Sequence, residues 1–139
     1  MTDQFSSRFT ITLFRVMVSL IFIVAGINHL LRTEFVYQKL QSATFASVAA
    51  MFGNPHYSII ISGVAMLVGG VSFALGFKTR LAAIGLLMVL LPITLIVQVG
   101  SITSMGPLFK NIAIAGGLLF FIVHDAAGYR VDSLMAVRK

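Results

Sequence analysis

Four stretches of the chain, about residues 9–31, 57–77, 81–99 and 108–127, stay apolar over the length that a bilayer demands of a spanning helix. The hydrocarbon core is about 30 Å thick, and a helix needs about 20 mostly apolar residues to cross it. Inside lipid the backbone must satisfy its own hydrogen bonds, and an isolated strand cannot. Each stretch therefore reads as a helix. The first has a charge-free centre over residues 16–27, with Arg15 near its start and Asn28 and His29 near its end. The second holds no charged residue, the third begins after Arg80, and the fourth opens with Lys110 and closes with His124 and Asp125. The expected fold class is an all-α membrane protein, a bundle of four transmembrane helices forming one domain over residues 1–139.

Composition removes the soluble alternative. Hydrophobic residues make up 58% of the chain and charged residues only 10%, against about 25% charged in soluble domains. A water-facing surface of ordinary character cannot be built from that supply, so the lipid bilayer is the expected partner. The net charge of +6 comes from 10 basic and 4 acidic residues. The basic residues sit between the apolar stretches, which points to anionic headgroups and away from nucleic acid. Cysteine is absent, which excludes disulfides, thiolate metal sites and thiol nucleophiles. Tryptophan is absent too, leaving Tyr37, Tyr57, Tyr129 and the basic residues as interfacial anchors. The first stretch lacks a clear small-residue cleavage site and is long for a signal peptide, so it is read as retained.

The connections are unequal. Lys78-Thr79-Arg80 reads as a tight basic turn, and residues 100–107 join the last two helices with Gly, Ser and Pro. The first loop, residues 32–56, is much longer. Within it Val36, Leu40 and Ala43 recur at helical spacing, which predicts a short amphipathic helix over residues 34–52, lying on the membrane or folding back between the helices. Asn54-Pro55 closes that segment. Four crossings put both termini and the second loop on one face, with Arg8, Lys78, Arg80, Arg130, Arg138 and Lys139. The opposite face holds Arg32, Lys39 and Lys110. This excess predicts a bacterial inner (plasma) membrane protein with both termini in the cytoplasm.

Small residues predict the contact faces: Ala65, Gly69, Gly70, Ser72, Ala74 and Gly76 in the second helix, and Ala113, Gly116 and Gly117 in the fourth. A homo-oligomer face stays open as a use for them. Pro92 removes one backbone donor from the middle of the third helix and is expected to kink it.

Polar residues near the membrane form two groups. Arg15 and Asp125 fall at similar depth on the terminal side and are expected to form an intramembrane ion pair, with His124 a second candidate partner for Asp125. On the opposite side Asn28, His29, His56, Gln98, Lys110 and Asn111 converge near helix ends. Two histidines without a carboxylate or thiolate do not make a closed zinc site, so no metal is expected. A hydrogen-bonding rim above an apolar groove suits the head of a quinone or lipid-like molecule; ordinary interfacial polar residues are the plainer reading. No nucleophile elbow, zinc-protease motif or phosphate-binding glycine loop occurs, and no catalytic residue is assigned.

The first helix carries Arg15, Phe22, Gly26, His29 and Leu30. Leu75-Gly76-Phe77-Lys78-Thr79-Arg80-Leu81-Ala82-Ala83 begins at the end of the second helix, and Phe109-Lys110-Asn111-Ile112-Ala113-Ile114-Ala115-Gly116-Gly117 opens the fourth. Gly128 and Asp132-Ser133-Leu134 come last. In this order and spacing the chain, over about residues 10–134, resembles the DoxX family of small four-helix membrane proteins. Relatives include a subunit of a thiosulfate–quinone oxidoreductase and membrane partners of thiol or radical-detoxifying enzymes. The resemblance implies a membrane subunit or accessory of a quinone- or thiol-linked redox system, partnered by a redox enzyme or larger membrane complex, rather than a self-sufficient enzyme. Without cysteine the chain cannot run dithiol chemistry itself. Met66 stands where many relatives have a glutamate, Gln98 where some have a histidine, and Ala126-Ala127-Gly128 where the family closes with Gly-Pro-Gly. A small-molecule or lipid binder or transporter, and a structural or assembly factor, are the alternatives.

Overall fold

The computed structural model describes residues 2–51, 53–100 and 104–124. Among them there are six helices: α1 (Thr2–Leu31), α2 (Thr33–Gln41), α3 (Ala46–Ala50), α4 (Pro55–Leu75), α5 (Thr79–Val97) and α6 (Met105–Val123). Four carry spans long and apolar enough to cross a membrane: Ser7–Leu31, Pro55–Leu75, Thr79–Val97 and Met105–Val123. The fold class is thus the expected four-helix membrane bundle with short helices in the first loop. The face holding the α1 N-terminus and the α4–α5 turn is called proximal below, and the face holding α2 and α3 distal.

Local chemistry explains where the helices begin and end. Asn54 caps α4 by accepting a 3.0 Å hydrogen bond from the His56 amide, with Pro55 in the first turn where its missing N–H costs nothing. The helix thus starts two residues earlier than the apolar pattern suggests. It also stops two residues earlier, at Leu75. Gly76 takes the left-handed conformation at φ 73°, and Phe77 and Gly76 donate back to the carbonyls of Ser72 and Phe73. The proximal turn is therefore residues 76–78, with Thr79 and Arg80 already in α5 rather than in the turn. In the first loop the amphipathic segment is two helices instead of one, broken at residues 42–45. The fourth span ends at Val123; residues 125–127, the rest of the expected stretch, lie outside the described residues. Pro92 stands inside α5, which continues through it to Val97.

Each spanning helix buries one narrow stripe and exposes another. In α1 the buried stripe is Arg15, Ser19, Phe22 and Gly26, spaced four, three and four apart, while Met17, Leu20, Val24 and Leu31 stand exposed. Similar exposed rows of large apolar side chains run along α4, α5 and α6. Water would not tolerate such a surface, and lipid is its natural solvent.

Close backbone approach joins α1 to α4. A Cβ on Gly26 would lie 2.8 Å from the Gly63 carbonyl oxygen, and one on Gly63 would lie 2.9 Å from His29 Cβ. Gly70 meets Ile23 and Phe22, so the two helices run antiparallel in tight register. Gly69 turns instead to Leu86 of α5, and Gly117 receives Phe14 and Val18 of α1. Three of the small residues expected at contact faces are not used so: Ala65 and Ala113 are exposed, and Gly116 faces open space. The core consists of Phe22, Met66, Phe73, Leu86, Leu90, Leu118 and Phe121 with Ala83.

Candidate functional site

The helices α1 and α6 meet in the proximal half, where Phe14 lies 6.1 and 5.4 Å from the rings of Phe120 and Phe121, and Phe73 stacks edge-on to Phe121 at 5.0 Å. These rings close that end of the bundle. Toward the distal face α1 and α6 instead line a partly open cavity of about 790 Å³, walled as well by α4 and α5. Its volume lies in the range of small-molecule sites. The inner end is apolar, with Phe22, Met66, Leu90 and Ile93. The distal end is polar, and α2 and α3 form its roof through Phe35, Val36, Leu40 and Ala49. The first-loop helices therefore fold over the mouth of the bundle. Their connector is held there by Thr44, which packs against Gly100 in the α5–α6 turn.

The cavity brings together Asn28, His29, Gln98, Lys110 and Asn111. The sixth residue expected beside them, His56, does not line it. Its ring stacks on Tyr37 at 4.2 Å, tying α2 to the start of α4. His29 Nδ1 donates to the Ala25 carbonyl at 2.8 Å, so the neutral ring keeps Nε2 as an acceptor. Asn111 is buried, and its Nδ2 donates to Thr94 Oγ1 at 2.9 Å; that hydroxyl donates in turn to the Leu90 carbonyl at 2.7 Å. This chain fixes α6 against α5 beside Pro92 and holds the cavity wall rigid. Gln98 Oε1 is buried without a hydrogen-bond partner among the described residues, an acceptor left for whatever enters.

Three members of the site escaped sequence reasoning. Thr94 has no signal beyond a hydroxyl two residues after a helical proline. Arg32 and Lys39 line the cavity, yet in sequence they served only to count charge on the distal side. The signal was present in that count, since all three cations assigned to that side reach the same cavity. Among the described residues no three of His, Asp and Glu come together as a metal-ligand set.

Arg15 is one of the most buried large side chains, 2% exposed, in the proximal half of α1. Its chain neighbour Phe14 touches Phe120 and Phe121, so the end of α6 runs at its level. Asp125, its expected partner, lies outside the described residues, while His124 ends α6 with its ring stacked on Phe120 at 5.0 Å.

A family model described as DoxX matches residues 10–99, which covers most of α1, all of α2 to α5 and every cavity wall except that of α6. No curated protein and no solved structure matches the chain.

Proposed function

The chain belongs to the DoxX family, and from that premise we propose that it binds a membrane-borne amphiphile in the distal cavity and serves a larger membrane system without being an enzyme on its own. One observation carries this reading: a cavity of about 790 Å³ whose inner end is apolar and whose outer end gathers Asn28, His29, Gln98 and Asn111. That polarity copies a lipid-like molecule, tail inward and head at the interface. The binding reading takes precedence over a purely structural one because a solidly packed bundle would leave no such space. In its redox form the amphiphile is a quinone, its carbonyl oxygens accepting from the amides of Asn28 and Gln98, and the chain is the membrane subunit of a partner oxidoreductase. The proposed setting is the bacterial inner membrane with the proximal face in the cytoplasm. Arg8, Lys78 and Arg80 on that face support it.

Ala65 lines the cavity yet is exposed, so Ala65→Trp should obstruct the space without disturbing the core. Organic extraction of the protein purified in mild detergent is expected to release one amphiphile, quinone or lipid, in roughly stoichiometric amount, and Ala65→Trp is expected to remove most of it. Equal recovery from both proteins would overturn the reading.

We also propose that Asp125 supplies the counter-charge to Arg15. The support is chain connectivity: Asp125 follows directly on His124, and α6 reaches Arg15's level at Phe120 and Phe121. A buried guanidinium calls for such a partner.

A further inference from the structure

The distal end of the cavity is more than polar. Arg32 at the α1–α2 junction, Lys39 on α2 and Lys110 on α6 all line it, from three separate elements. Among the described residues no carboxylate does; Glu34, on the same side, is exposed and stands outside the lining. Like charges directed at one cavity repel each other, and a bound anion relieves that repulsion. All three are donors only, so they ask for a head rich in acceptor oxygens. The unpartnered Gln98 Oε1 asks in addition for a donor. Below the cations the walls turn apolar at Phe22, Met66 and Leu90.

Resting on the amphiphile-binding reading, we infer that the occupant is an anionic lipid whose phosphate sits among Arg32, Lys39 and Lys110, with a headgroup hydroxyl reaching Gln98 and an acyl chain lying on the apolar floor. A glycerophosphate head supplies both phosphate and hydroxyl. A zwitterionic head brings its own ammonium into the same cations and is disfavoured. A neutral quinone head leaves the three charges uncompensated. The roof formed by α2 carries Lys39, so a bound phosphate also fastens the first loop over the mouth.

The test uses the full chain in mild detergent, with native mass spectrometry of adducts formed by phosphatidylglycerol and by phosphatidylcholine at equal concentration. The wild-type chain is expected to retain phosphatidylglycerol preferentially. Each of Arg32→Gln, Lys39→Gln and Lys110→Gln is expected to lower that preference about fivefold, and Arg32→Lys to keep it. All three residues are exposed enough for these changes to leave the fold intact, which thermal unfolding would verify. A triple Gln variant that still prefers phosphatidylglycerol overturns the inference. So does displacement of the lipid by millimolar inorganic phosphate alone, which would mark a soluble anion as the ligand. Unchanged charge preference combined with amphiphile loss in Ala65→Trp would sink the anionic head while leaving amphiphile binding standing.

Discussion

Gly26→Ala is expected to destabilise the bundle by about 1–3 kcal/mol, a large effect for one methyl group. The new Cβ would lie 2.8 Å from the Gly63 carbonyl oxygen and 3.0 Å from the Leu67 amide nitrogen, both backbone atoms that no rotamer change can move. The helices α1 and α4 would have to separate, losing the close contact that lipid cannot replace, since lipid itself gives no hydrophobic drive for helix association. Gly85→Ala is the matched control. Nothing lies within 4 Å of its Cβ, and the better helix former should leave stability unchanged or raise it by about 0.5–1 kcal/mol. Titration with a denaturing detergent in mixed micelles, followed by circular dichroism, reads both. Equal midpoints for the two variants would mean that α1 and α4 do not approach as described.

Arg15→Met is expected to be at least as damaging, with a loss of about 3–5 kcal/mol, because under the proposed pairing with Asp125 removing one partner strands the other charge. Asp125→Leu should cost about as much for the same reason. The double variant should recover most of the loss, since a matched apolar pair in place of a buried ion pair is often neutral or better. The burial of Arg15 on the α1 stripe with Ser19 and Phe22 sets the size of the effect. The same unfolding titration, run as a double-mutant cycle, gives the coupling. Strictly additive losses would assign Arg15 another partner.

Much of the architecture was legible in the sequence because the bilayer imposes a coarse rule. About 20 apolar residues flanked by polar ones mark a span, and all four spans stand within a few residues of where that rule puts them. The ends were less legible because capping geometry decides them. Gly76 stops α4 through a left-handed turn, and Asn54 starts it with Pro55 behind it. The break between α2 and α3 was hidden because the helical spacing of Val36, Leu40 and Ala43 runs on into it.

Contact faces were half legible. Small residues at spacing four marked Gly69, Gly70 and Gly117, but small size does not say which way a residue points. Ala65 therefore opens on the cavity instead of a neighbouring helix, while Gly63 carries the close approach to α1. The cavity residues were found because polar side chains at helix ends are rare in so apolar a chain. His56 was drawn away by its stack on Tyr37, a contact between two loop-proximal residues 19 positions apart that no periodicity encodes. Met66 lines the cavity and is buried at its apolar end. A thioether there suits an acyl chain and offers no site for a proton.

Everything rests on lipid surrounding the exposed apolar rows, with the chain crossing it between α2 and the α4–α5 turn. The wild-type chain has no cysteine, so a single introduced thiol reports its own position. Glu34→Cys and Lys78→Cys place it on the distal and proximal faces, at exposed residues. In intact cells a membrane-impermeant maleimide is expected to label Glu34→Cys at once and to reach Lys78→Cys only after the membrane is opened. Labelling of both from the same side would contradict the membrane arrangement and, with it, the cavity's position at one face of the bilayer.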